Sequence, residues 1–264
     1  MPEPPHLELV VKNKPLLIAL LAGLAVCGTT HAALLGRDFD TSTAGYEAFY
    51  DDQLNITWLA DANLAASNTF GVSGINSDGT MLRDVAFLWI AAMNAAKYLG
   101  YDDWRLPELS PINGSSFDYN ISDAGNTDRG NNISAPGTAY VGSTASELAY
   151  MYFSNLDNKS SLDITGQPQT GFGLVDDPSN PNDETLFSGI QPYPYWFGTE
   201  YAVGSNNGWA FHMGLGFQSE QVKLDALDVW AVRDGDVAAV PEPTTLLLLG
   251  LGIVGLGAMR RRYR

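Results

Sequence analysis

Few side chains in the interior of this sequence could do chemistry, and none falls into a catalytic pattern. His212 is the single histidine between Ala33 and Val240. One imidazole cannot build a multi-histidine metal site, and no G-x-S-x-G phrase supplies a serine nucleophile for it. Its place opposite Trp209, Phe211 and Met213 reads as structural. The one cysteine, Cys27, lies in an N-terminal segment expected to be removed, so thiolate chemistry and disulfides are not expected in the mature chain. Catalytic residues are therefore expected to be none. Carboxylates are abundant, but a glycosidase needs two about 5 to 9 Å apart across a cleft, which sequence spacing does not establish.

Two sets of residues suggest binding. Asp118-Tyr-Asn120-Ile-Ser122 places oxygens at alternate positions, as calcium loops do. An EF-hand fails, because Asp123 stands where the glycine belongs and no glutamate follows at the twelfth position. A looser calcium site from Asp118, Asn120, Asp123 and Asp128, or from residues 176–183, is a weak candidate beside the plain reading of a solvated loop. The aromatics Trp104, Tyr193, Tyr195, Trp196 and Trp209 suit stacking on sugar rings or burial in a core. Trp104, Tyr193, Trp196 and Trp209 are the ligand-binding candidates. Arg105 and Arg233 are expected to pair with the acids of YDDW and RDGD.

Composition narrows the partners. The 264 residues carry a net charge of −16, and the stretch from Ala33 to Val240 holds 8 basic against 27 acidic residues, a net of −19. Such a surface repels phosphate backbones, which excludes nucleic acid as a partner. The length suits one domain with appendages.

The elements that would position these residues are legible in part. Tyr46 to Ala65 holds two β-type runs around Asp51-Asp52-Gln53, suiting a hairpin. Arg83 to Gly100 repeats Val85, Leu88, Trp89, Ala92, Ala96 and Leu99 at helical spacing, with Gly100 as the expected cap. Pro111 to Gly142 reads as a long loop. A second helix is expected from a capping box, Thr144 to Glu147, through LAYMYFSNL. After a further loop, YWFGTEY, GWAFHMGLGF and VWAVRDGD read as strands. The order implies an α+β domain over residues 33–237.

Both ends carry address signals. Lys12 and Lys14 precede a 12-residue apolar run, Pro15 to Val26, and small residues lead to Ala32-Ala33. That is the form of a secretory signal peptide, residues 1–32. A lipoprotein signal at Cys27 competes, but Val26 is large for its processing. At the other end, Thr244 to Met259 is an apolar stretch of 16 residues, a helix of about 24 Å, short of the roughly 20 residues that span a bilayer. The arginines behind it favour the cytoplasmic side.

The tail VPEPTTLLLLGLGIVGLGAMRRRYR resembles the PEP-CTERM sorting signal of Gram-negative bacteria that make extracellular polysaccharide. The resemblance implies a sorting segment over residues 238–264 with a transmembrane helix over 244–259. It also implies recognition of Pro241, Glu242, Pro243, Arg260, Arg261 and Arg262 by an exosortase, with the inner membrane as a transient partner. The body resembles the Lcl C-terminal-like family through DDQLNITWLADAN, GYDDWRLPEL, SELAYMYF, YWFGTEYA, GWAF and VWAVRDGDVAAVPEP. That resemblance implies a C-type-lectin-like fold, two helices packed on small antiparallel sheets with long loops. The calcium-sugar tripeptides of C-type lectins are absent, the nearest phrases being Gln191-Pro192-Tyr193 and Gln167-Pro168-Gln169. Formylglycine-generating chemistry, suggested by Arg105-Leu-Pro-Glu108, lacks its cysteines.

The expected function is a non-enzymatic, exported surface or matrix protein that binds exopolysaccharide or another surface protein. A structural matrix component and a carbohydrate-active hydrolase are the alternatives. No cofactor is expected apart from the weak calcium candidates.

Overall fold

The computed structural model describes residues 34–40, 42, 44–174 and 186–236. The expected signal peptide, sorting tail and its 244–259 helix, and the acidic run 176–183 lie outside them.

The expected hairpin forms. Strand β2 (Ala48–Asp51) runs antiparallel to β3 (Ile56–Leu59), with Asp51 opposite Ile56. Asp51 closes the turn, its Oδ1 accepting from the amides of Gln53 at 2.9 Å and Leu54 at 3.0 Å. An aspartate does this by mimicking a backbone turn. β1 (Leu34–Arg37) pairs with β2, and the last strand of the described chain, β9 (Val232–Asp234), pairs antiparallel with β3. This four-stranded sheet has the order β1-β2-β3-β9.

The second sheet has the order β4-β5-β8-β7-β6, from β4 (Ile121–Ser122), β5 (Arg129–Asn131), β6 (Pro194–Glu200), β7 (Asn207–His212) and β8 (Phe217–Val222). Only β4 and β5 are parallel. The first two strands arise inside the stretch expected to be loop. Gly130 makes this possible, because its φ is +137° and a Cβ there would lie 1.9 Å from the Ser122 carbonyl oxygen. β7 lies inside the sheet between β8 and the edge strand β6, and Gly208 to Phe211 are all buried rather than alternating.

The helices are shorter than the sequence pattern implied. α1 is Arg83–Ala95, 13 residues, and stops because Lys97 and Leu99 take φ of 49° and 55°, which no α-helical ladder admits. Its buried side chains are Arg83, Ala86, Trp89, Ile90 and Met93, whereas Leu88 is 60% exposed. The inward face is thus rotated from the expected one. α2 is Glu147–Tyr150, four residues, capped by the Ser146 hydroxyl accepting from the Ala149 amide rather than by Thr144. It loosens into a π-turn, Met151–Asn155, where the Leu156 amide donates to the Met151 carbonyl at 2.9 Å.

The expected α+β, C-type-lectin-like fold is therefore corrected. Among the described residues, nine strands in two sheets and two short α-helices form a mostly β architecture. The physical reason is that both apolar runs lose the α-helical ladder early, so the core is closed by the two sheets and by loop residues such as Trp104, Leu106 and Trp230. No helix among the described residues is long and apolar enough to cross a membrane. All six tryptophans are buried, and Trp58 and Trp230 meet with ring centroids 4.8 Å apart.

Candidate functional site

Packing decides which of the expected ligand-binding aromatics face solvent. Trp104 is buried with its indole N–H donating to the Tyr98 carbonyl at 3.1 Å. Trp196 is buried and donates to the Met81 carbonyl at 3.0 Å. Trp209 is buried beside Tyr119 and Tyr201, with ring centroids at 5.9 and 4.8 Å. These three serve the core. Tyr193 alone of the four is exposed, at 59%.

Tyr193 stands at a cavity of about 240 Å³ whose walls also include Asp78, Thr80, Pro194, Leu227 and Asp228. Two chain segments distant in sequence meet at it beside Tyr193 and Pro194. The first is a hairpin closed by the turn Asn76 to Gly79, where the Asn76 amide donates to the Thr80 carbonyl at 2.9 Å. Gly79 has φ of +90°, and a Cβ would sit 1.9 Å from Asn63 Oδ1, so only glycine fits. Asn63 Nδ2 donates to the Asp78 carbonyl at 2.9 Å and fixes the turn. The second segment, Ala226 to Asp228, is tied to the first by reciprocal hydrogen bonds between Met81 and Leu227, at 2.9 and 3.0 Å. The Asp228 backbone bonds to Pro194 and Trp196 at the start of β6, both at 3.1 Å. Tyr193 is held by its carbonyl, which accepts from the Met213 amide at 3.2 Å.

The two carboxyl groups of the cavity are unlike. Asp228 is 1% exposed, and neither of its side-chain oxygens has a hydrogen-bond donor among the described residues. Burial, reinforced by the charge of Asp78, pushes its pKa up to about 7. Asp78 is solvated, and its Oδ1 accepts from the Thr80 hydroxyl at 2.7 Å and amide at 3.1 Å, which lowers its pKa. Among the described residues no Lys, Arg or His lines the cavity. Sequence reading missed both acids. The available signals were an acid embedded between Leu227 and Val229, and the Asp78-Gly79 turn dipeptide.

A larger cavity of about 300 Å³ lies beside the π-turn, but polar groups around it are spent on their own loop. Gln169 Nε2 donates to the Ser160 and Leu162 carbonyls, and Asn132 Nδ2 to those of Asp123 and Leu162. Asp163 Oδ1 accepts from Thr165 and Gln167. Among the described residues it holds no buried carboxyl group comparable to Asp228, Asp157 being exposed and Asp163 hydrogen-bonded.

The calcium candidates are not brought into one cluster. Asp128 is buried and accepts from the Ile112 and Asp118 amides at 2.7 and 2.8 Å, Asp118 from Asn120, and Asp123 from Asn131 at 2.8 Å. Among the described residues no group of three or more His, Cys, Asp or Glu is placed to hold a metal ion. His212 accepts at Nδ1 from the Gly214 amide at 3.2 Å, and burial lowers its pKa. Arg105 and Arg233 pair as their sequence context implied. Arg105 reaches Glu147 at 2.7 and 2.8 Å and Asp234 at 2.6 Å, while Arg233 grips Asp103 with two bonds of 2.8 Å. Together with Arg37 on Asp236, these pairs clamp the end of the described chain.

A family model, the PEP-CTERM protein-sorting motif, matches residues 239–262. No curated protein and no solved structure matches the chain, so the resemblance of the body to the Lcl family stands without support. The motif indicates an exported surface protein of a Gram-negative bacterium, one processed by an exosortase in the membrane. The matched segment contains all six expected sorting residues: Pro241, Glu242, Pro243, Arg260, Arg261 and Arg262.

Proposed function

We propose that this protein, once delivered to the cell surface or extracellular matrix, binds exopolysaccharide without catalysing a reaction, through the cavity beside Tyr193. The observation that carries this reading is the exposed Tyr193 ring at a cavity that also bears the solvated Asp78 carboxylate. An aromatic face stacks on the C–H face of a sugar, and carboxylate oxygens accept its hydroxyls. The net charge of −19 over the body keeps such a domain soluble outside the cell. Retention on a column of the cell's own exopolysaccharide tests it. The expected result is retention of the wild type and about tenfold weaker retention of Tyr193→Ala, a loss of roughly 1.4 kcal/mol. No retention of the wild type refutes the reading.

A second reading has one observation in its favour. Asp78 and Asp228 line the same cavity with pKa values moved in opposite directions, the arrangement acid-assisted glycoside hydrolysis uses. Against it, both Asp228 oxygens are sealed from solvent, and a general acid must touch the glycosidic oxygen. Release of reducing ends from the same exopolysaccharide, abolished by Asp228→Asn, would favour hydrolysis over binding.

A further inference from the structure

We propose that the cavity beside Tyr193 and the cavity beside the π-turn are two subsites of one elongated surface, which takes the interior of an uncharged polysaccharide chain. This rests on the polysaccharide reading above and deepens it from a sugar to a stretch of chain.

The two cavities stand on either side of one turn, Met213 to Gly216, which joins β7 to β8. On the first side the Met213 amide donates to the Tyr193 carbonyl at 3.2 Å, and a Cβ on Gly214 would lie 2.5 Å from the Pro192 carbonyl oxygen. On the second side the Leu215 carbonyl accepts from the Ser161 amide at 2.9 Å and the Ser160 hydroxyl at 3.1 Å. The Gly173 amide donates to the Lys159 carbonyl at 3.1 Å, and a Cβ on Gly173 would lie 3.0 Å from the Gly214 carbonyl oxygen. Tyr193 borders the first cavity, Lys159 and Ser160 the second, so a single turn separates them. Backbones packed this closely hold two subsites at a fixed spacing before a ligand arrives.

The joint between the cavities is apolar and open to water. Tyr193 is 59% exposed, Phe172 beside Gly173 is 43%, and Leu215 in the turn is 36%. On so acidic a body, apolar side chains gathered between two cavities mark a contact surface, and aromatic faces among them suit the C–H faces of successive sugar rings. The second cavity, about 300 Å³, carries the apolar Phe153 and Ile164 in its wall. Its backbone is strained, with Asn132 and Asp157 at φ of 60° and 54°, and the π-turn runs beside it. Such outliers cluster where a fold shapes a binding site.

Charge selects the chain. Lys159 is exposed, and among the described residues it is the one Lys or Arg with no carboxylate in ion-pair contact. Its ammonium brings three donors for hydroxyls, and the exposed Asp157 beside it brings acceptors. Asp78 at one end, with Asp157 and Asp163 at the other, outnumbers Lys159. A chain rich in carboxylates is therefore repelled, whereas a hydroxyl-bearing neutral one is not.

The test is calorimetry on the mature protein recovered from the cell, titrated with fragments of the cell's own exopolysaccharide sorted by length and by charge. Affinity should rise about tenfold or more from disaccharides to fragments that span both cavities, and stay level beyond, as two linked subsites require. Phe172→Ala and Lys159→Gln, both at exposed positions, should remove that gain and leave disaccharide binding unchanged, while Tyr193→Ala weakens every length. Uncharged fragments should bind about tenfold tighter than acidic ones of equal length. Affinity independent of length, or a gain that both distal variants keep, overturns the joined surface and leaves the polysaccharide reading at Tyr193 standing. An equal loss at every length in the distal variants overturns it too, because it traces the effect to the fold. Tighter binding of acidic fragments overturns the assignment to an uncharged chain. No binding of any fragment or of the intact polysaccharide refutes both readings.

Discussion

Asp78 and Asp228 line one cavity, yet the first is solvated and held in its charged form by Thr80, while the second is sealed and pushed toward its neutral form. This opposition has a consequence for folding. Asp228 has a folded pKa of about 7 against an ordinary value of 3.8, so between these values the folded state holds a proton that the unfolded state has lost. Its contribution is full below about pH 4 and is lost as pH rises through about 7. Asp228→Asn should therefore raise the melting temperature above that of the wild type at pH 8 and match it near pH 4. Three pKa units set an upper bound of about 4 kcal/mol. Thermal melts across that range check it, and parallel curves would sink it.

Gly79 fixes the Asp78 turn. Gly79→Ala should destabilise by about 1 to 3 kcal/mol, because φ of +90° disfavours any Cβ and Asn63 Oδ1 occupies its place. Adding Asn63→Ala relieves only the clash, so the double variant should recover part of the loss. Denaturant melts of the single and double variants would show this, and full recovery would place the whole cost in the clash.

Two core tryptophans separate a satisfied indole from an unsatisfied one. Trp196 donates to the Met81 carbonyl, whereas the Trp209 N–H has no partner among the described residues. Trp196→Phe loses volume and one hydrogen bond, the Met81 carbonyl keeping only the Leu227 amide; Trp209→Phe loses volume alone and removes an unpaired donor. The first should cost about 1 to 2 kcal/mol more than the second by chemical denaturation.

The carboxylates of Asp118, Asp123 and Asp128 accept within their own loops, Asp118 from Asn120 and Asp128 from two backbone amides. Millimolar calcium against chelator should leave the melting temperature unchanged. An upward shift with calcium would restore these residues as a metal site.

The sorting motif at 239–262 should be absent, at least in its basic part, from the delivered protein. Mass spectrometry of the mature C-terminus is expected to lack Arg260 to Arg264, and Pro243→Ala to retain them in the membrane fraction. A wild-type mature chain that keeps these arginines would contradict the assignment.

The sequence by itself determined what depends on local pattern. The Asp51 turn placed the β2-β3 hairpin, aromatic-rich runs marked β6, β7 and β9 while the polar β8 went unread, and the tail carried its address in residue order alone. Arg105 and Arg233 could be matched to acids because opposite charges in an acidic chain have few other uses. The ends of α1 and α2 were not legible, since Lys97 and Leu99 turn left-handed and Met151 to Asn155 widens into a π-turn under tertiary constraint. The rotation of the α1 face had the same origin, with Trp89 and Met93 drawn inward and Leu88 left outside. Only the tertiary structure decided the site. Whether an aromatic stacks on a ligand or fills a core depends on what covers it, and three of four candidates were covered. Whether an aspartate is solvated or stranded depends on neighbours far away in sequence, and Asp228 became stranded when the turn at Asp78 and the start of β6 closed around it.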